Sequence, residues 1–264
     1  MLRALVICLS LTLNIACAPV WAGSDSKNPL SQCLSKIYDQ MLRSSMDHYH
    51  VTVPVADTQA PIFFLRSQQI QFLERIMDSF GPKLSAGGQR ILEIGYGSPS
   101  MAESLRRATG ASVTALDLYD APGSWIELMP EIDFVSGHLP RDGLVRRVLL
   151  EKGPYDLIYA QDVWKAGNEF KWGEPFDPGV SGPEYLAWLQ EITHRGSVIA
   201  ALNDFGAPLA FSRAEVESAG FVVTRWDEPI RMDLHPMAAP KLRAKYGERL
   251  GDLRYFEFQR PTKH

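Results

Sequence analysis

The stretch Arg90-Ile91-Leu92-Glu93-Ile94-Gly95-Tyr96-Gly97-Ser98-Pro99-Ser100-Met101-Ala102-Glu103-Ser104-Leu105-Arg106-Arg107 decides the fold. Its apolar start, Ile91, Leu92 and Ile94, predicts a short buried strand. Gly95 and Gly97 predict a sharp turn in which missing Cβ atoms let a ligand approach the backbone. Ser98 suits a helix N-cap and Pro99 the first helical position. Strand, glycine turn and helix therefore follow one another, and the helix N-terminus offers unpaired N–H groups beside the turn.

Glu93 is an acid inside an apolar strand, a costly position for a carboxylate unless a ligand or a fixed donor meets it. A second strand is predicted from Ser112 to Asp117 and ends in another acid, twenty residues after Gly97. Dinucleotide-binding folds use an acid at about 20 residues from the glycine turn to meet ribose hydroxyls.

Further units repeat the alternation. Strands are predicted at 132–135, 155–160, 197–202, 221–226 and 254–259, with a loop and short helix at 119–129 and helices at 144–150, 184–192 and 213–219. Alternating strands and helices imply a doubly wound α/β fold, a mostly parallel sheet with helices on both faces. Ligands of such sheets lie at the carboxyl ends of the strands.

Upstream, residues 23–88 predict a helical appendage, with Val51 to Pro61 extended or in a loop. A helix over 63–80 turns Leu65, Phe72, Leu73, Ile76 and Phe80 inward, Gly81-Pro82 stops it, and Ala86-Gly87-Gly88 forms a hinge. Residues 89–264 form the main domain. The first 22 residues, an apolar run from Ala4 to Val20 with one charge at Arg3, read as an export signal cleaved before Gly23, or as an N-terminal membrane anchor if left in place. Only Cys33 lies beyond that segment, so no internal disulfide is expected. Net charge is −4 and the pI about 5.9, without a basic tract, which argues against a nucleic-acid binder.

With these residues in place, the chain from about Gln89 to Pro261 resembles the class I S-adenosylmethionine-dependent methyltransferases, a Rossmann-like family. Their first motif is Glu/Asp-x-Gly-x-Gly-x-Gly. Here it stands as Glu93-Ile94-Gly95-Tyr96-Gly97-Ser98-Pro99, with proline in place of the third glycine. The resemblance implies S-adenosylmethionine as cofactor, held by Glu93, Gly95, Tyr96, Gly97, Asp117 and Leu118, with His138 near the adenine in place of the family's acid. It implies transfer to a small-molecule acceptor, with Asp162 and Asp204 as the catalytic acids at the ends of strands four and five.

The segment Asp162-Val163-Trp164-Lys165 looks like the acid-x-Trp-Lys segment of catechol-type O-methyltransferases, in which such acids bind magnesium. In this chain the pair after strand five is Asn203-Asp204, the reverse order, and Mg²⁺ stands as an optional cofactor. The alternative is that both acids cap the segments that follow. The aromatic stretch from Trp164 to Phe176 is expected to close over the acceptor. Two readings from other classes stay open: an exported module that binds a nucleoside or other small ligand without turnover, and an NAD-dependent oxidoreductase.

Overall fold

The computed structural model describes residues 55–84, 87–96, 100–121, 123–137, 142–164, 181–204, 206–231, 244 and 252–262. The elements run α1 (Val55–Leu84), β1 (Arg90–Ile94), α2 (Ser100–Thr109), β2 (Ser112–Asp117), α3 (Gly123–Leu128), β3 (Ile132–Ser136), α4 (Gly143–Lys152), β4 (Tyr155–Gln161), α5 (Gly182–Glu191), β5 (Thr193–Asn203), α6 (Arg213–Ser218), β6 (Val222–Arg231) and β7 (Asp252–Gln259). One seven-stranded sheet has the order β3-β2-β1-β4-β5-β7-β6. Strands β1 to β5 pair in parallel, and β7 enters antiparallel to both β5 and β6. The predicted Rossmann-like α/β class is what the chain adopts.

Successive residues of each strand serve opposite cores. Ile91, Val113, Ala115, Leu157 and Tyr159 face a cluster that includes α1, α2 and α3 residues such as Phe72, Leu105 and Trp125. Leu92, Ile94, Leu116, Ile158 and Ala160 face a second cluster under α4, α5 and α6, with Leu149, Trp188 and Val216. The central strands are thus apolar on both sides, the pattern of a covered parallel sheet. Strand β7 shares that double burial, with Tyr255 on one face and Phe256 and Phe258 on the other. Strand β6 is an edge, and it carries the devices of an edge: Pro229, two register shifts and Asp227 at φ 55°.

Three expectations change. Helix α1 starts at Val55 and runs through Gly81-Pro82 to Leu84, so the described part of the expected extended segment, residues 55–61, and the stop are both replaced by helix. Proline's own φ is helical; it removes one N–H···O bond, and the full burial of Phe80 beside it holds the turn. Helix α1 packs directly against the sheet. Phe72, Leu73, Ile76 and Phe80 are at most 1% exposed and belong to the same cluster as β1 and β4, each burial contributing about 1.5–3 kcal/mol. Finally, β5 begins at Thr193 and β6 reaches Arg231, both longer than predicted.

The hinge before β1 is present, with Gly87 and Gly88 at φ 73° and 76°. Helices α5 and α6 open with capping boxes, Ser181 with Glu184 and Ser212 with Glu215, and Asp142 caps α4. Among the described residues no helix is long and apolar enough to cross a membrane. The predicted export segment and Cys33 lie outside the described residues.

Candidate functional site

Strand β1 lies between β2 and β4 and passes the chain to α2 on one face; β4 passes it towards α5 on the other. The carboxyl ends of β1 and β4 are therefore the topological switch point, where open α/β sheets place their ligands.

Glu93 is the next-to-last residue of β1, paired in register with Ala115 and Tyr159. It is 4% exposed. Burial pushes its carboxyl well above the usual carboxylate range, and the nearby Asp117 adds to this; Tyr159 and the backbone N–H of Ala102 in α2 oppose it. The Tyr159 hydroxyl is close enough to act on Glu93, yet neither Glu93 Oε2 nor Tyr159 Oη completes a hydrogen bond of ordinary geometry. Buried polar atoms are seldom left so.

Gly95 follows in left-handed conformation, at φ 70°, and its N–H donates to the Leu116 carbonyl at 2.7 Å. A Cβ there would run into Val163 Cγ2, so the turn after β1 and the turn after β4 interlock. Asp117 ends β2; its Oδ1 accepts from the Leu118 N–H at 2.7 Å, and Leu118 and Tyr119 are exposed.

Tyr96 turns its side chain into the core. Its ring is buried edge-on against Trp125 and Phe134, and its hydroxyl donates to the Tyr119 carbonyl at 3.0 Å. Burial raises that hydroxyl's pKa, helped by Asp117, Asp120 and Glu93. Gly97 and His138 lie outside the described residues.

Asp162 and Asp204 do meet at the ends of β4 and β5. Asp162 sits at φ 60°, its N–H donates to the Leu202 carbonyl at 2.8 Å, and its Oδ1 accepts from the Asp204 N–H at 2.7 Å. Asp162 thus brackets the turns after β4 and β5. Asn203 Nδ2 donates to the carbonyls of Trp164 and Pro208, both at 3.2 Å. Among the described residues no group of three or more His, Cys, Asp or Glu is suited to a metal ion, so Mg²⁺ gains no support from them.

Trp164 is no part of a lid. It is fully buried, with its ring 5.7 Å from Tyr185 and 5.8 Å from Phe211. The other aromatics of the expected lid, Phe170, Trp172 and Phe176, lie outside the described residues.

Sequence reasoning missed a polar seam under α1. Gln161 Nε2 donates to Gln68 Oε1 at 2.9 Å, and Ser100 Oγ to Gln69 Oε1 at 2.5 Å. Gln68 Nε2, Gln161 Oε1 and Ser104 Oγ are buried without a partner. The signal was present: Gln68 is one helical turn before Phe72 and so shares its inward face.

No family model and no curated protein matches the chain. Among solved structures it is similar to the [4+2]-cyclase SpnF, at 14% identity over 72% of this chain and 81% of that one, TM-score 0.47. It is also similar to a Galdieria sulphuraria protein assigned as a sarcosine dimethylglycine methyltransferase, at 15% identity over 71% and 84%, TM-score 0.46. A third, an Escherichia coli protein assigned as the methyltransferase YhhF, is 12% identical over 73% and 86%, TM-score 0.45. At these values the likenesses carry no functional weight. The chain's own strand order defines a Rossmann-like α/β protein whose switch point lies at the carboxyl ends of β1 and β4.

Proposed function

We propose that the chain is a methyltransferase that uses S-adenosylmethionine and acts on a small-molecule acceptor. One observation carries the reading: at the switch point, a buried acid with an unpartnered oxygen (Glu93) precedes a left-handed glycine turn (Gly95), and a second acid (Asp117) ends the neighbouring strand. These residues fit a polar nucleoside that bears positive charge. Asp117 suits its ribose hydroxyls, the Gly95 backbone admits close approach, and Glu93 suits a cationic group. When bound, the cofactor supplies a methyl group on an already charged sulfur, so the chain has chiefly to orient the acceptor and hold or remove its proton.

Asp162 is the residue proposed for that proton, with Asp204 beside it. Asp162→Asn keeps an oxygen for the Asp204 N–H and so preserves the bracket. Turnover should fall about a hundredfold or more, the scale for losing a general base, with S-adenosylhomocysteine affinity little changed. Full turnover in this variant makes Asp162 a bracket only.

Calorimetric titration with S-adenosylmethionine, S-adenosylhomocysteine and NAD tests the cofactor. Absence of heat and of any thermal shift with the first two ends the reading. A binding module without turnover would show as tight binding with no methyl transfer to any acceptor. Residues 1–22 are proposed as an export signal; an intact Met1 on the native protein in a cytosolic fraction refutes it. The acidic pI supports the absence of nucleic acid among its partners.

A further inference from the structure

Glu93 is enclosed from four sides. Strand β4 contributes Tyr159, strand β2 contributes Asp117, and the turn after β1 contributes Tyr96, whose hydroxyl is engaged with Tyr119. Helix α2 contributes the Ala102 N–H; its charged residues are turned to one another, Arg106 and Arg107 both pairing with the buried Glu103. At the carboxyl ends of β1 and β4, α1 places the neutral amides Gln68 and Gln69, joined to Gln161 and Ser100. No lysine, arginine or histidine among the described residues pairs with Glu93, and neither its Oε2 nor the Tyr159 hydroxyl beside it completes a hydrogen bond of ordinary geometry. Among the described residues this buried acid therefore has no cationic partner.

We propose, resting on the cofactor reading above, that Glu93 is a proton-exchanging receptor for a cationic group of the ligand. In the free protein the carboxyl holds its proton. The ligand's ammonium or sulfonium then enters the site, the O–H bond of Glu93 breaks, and the proton leaves to the solvent as the carboxylate takes the cation as its partner. Nothing is oxidised, and the net charge of the chamber is the same before and after.

The physical case is direct. Desolvation favours the neutral acid in the free protein, and its pKa is raised accordingly. An opposite charge within about 4–6 Å reverses that preference by roughly 1–3 pH units. Affinity should therefore climb with pH until it passes the raised pKa of the free carboxyl, then level off. Glu93→Gln resembles the protonated acid in shape, so it keeps the fold while removing the exchangeable proton.

The experiment is calorimetric titration of the full chain with S-adenosylmethionine, and separately S-adenosylhomocysteine, at one pH in phosphate and in Tris. These buffers differ in ionisation enthalpy, so a buffer-dependent heat counts protons. Up to one proton per ligand should be released by the wild type and none by Glu93→Gln. Release with both ligands assigns the ammonium as the exchanging cation; release with S-adenosylmethionine alone assigns the sulfonium. Binding with buffer-independent heat between pH 5 and 8 overturns the proposal and leaves the cofactor reading standing. The same release from Glu93→Gln also overturns it. No binding of either ligand removes both. Should the variant fail to fold, by circular dichroism, the wild-type buffer series decides alone.

Discussion

The two faces of the sheet are built on different terms. Under α4, α5 and α6 the contact is chiefly aromatic and aliphatic: Trp164, Tyr185, Trp188 and Phe211 pack on one another, α5 and α6 are fixed by capping boxes, and Asp142 caps α4. Under α1 and α2 the apolar packing of Phe72, Leu73, Ile76 and Phe80 gives way, towards the carboxyl ends of β1 and β4, to Gln68, Gln69, Glu93, Ser100, Ser104, Tyr159 and Gln161. Five of the nine buried unpartnered side-chain atoms among the described residues lie in that seam. Orphaned polar atoms are a stability cost of about 1–3 kcal/mol each, and they are concentrated at the switch point. The first face is closed by apolar packing; the carboxyl end of the second is where the proposed ligand would be read.

Mutations separate the two. Trp164→Ala empties the aromatic cluster and should destabilise by about 3–5 kcal/mol, measured by denaturant unfolding; a loss of activity at unchanged stability would restore Trp164 to a lid. Gly95→Ala forces Val163 aside, at about 1–3 kcal/mol, and holds alanine in the left-handed region for about 1–2 kcal/mol more. Because this turn belongs to the crevice, ligand binding should disappear with it, and a variant that still binds dissociates the turn from the site.

Ser212→Ala removes an N-cap on the structural face and should cost about 0.5–2 kcal/mol with no effect on binding. The smallest effect sharpens the contrast most. Because the folded-state pKa of Glu93 is raised, its contribution to stability is present below the unfolded-state pKa and fades as pH rises through the raised value. Unfolding free energy of the ligand-free protein should thus carry a downward component with rising pH that Glu93→Gln lacks. Identical profiles for the two would place the carboxyl in water.

Much of this was legible in the chain. Strand β2 was read at its true limits and β1 to within a residue, because buried parallel strands are short, continuous apolar runs. Gly95 was legible because the turn after β1 needs a residue free to take positive φ, and the positions of Glu93 and Asp117 in β1 and β2 followed from the strand pattern. What escaped depended on direction or on distant partners. Trp164 was read as part of an aromatic loop, and only the fold shows its ring turned inward. Tyr96 follows a glycine of the motif, yet the cavity beside Trp125 takes it. Gln68 and Gln69 look like the polar side of a helix until Phe72 fixes which side faces the sheet. The passage of α1 through Gly81-Pro82 is a tertiary override of a local stop signal.

The position of β7 has a consequence for biosynthesis. Strand β5 is flanked by β4 on one side and by residues 252–259 on the other, some fifty positions further along the chain. While a ribosome is still making that segment, β5 presents a bare row of amide and carbonyl groups over an apolar strand, the kind of edge that recruits other chains. Synthesis is sequential, so the sheet stays open in its middle until almost the last residue described has emerged. Premature termination before Asp252 would leave a well-formed parallel half exposed along β5, and such truncated chains should accumulate as aggregates rather than as unfolded protein.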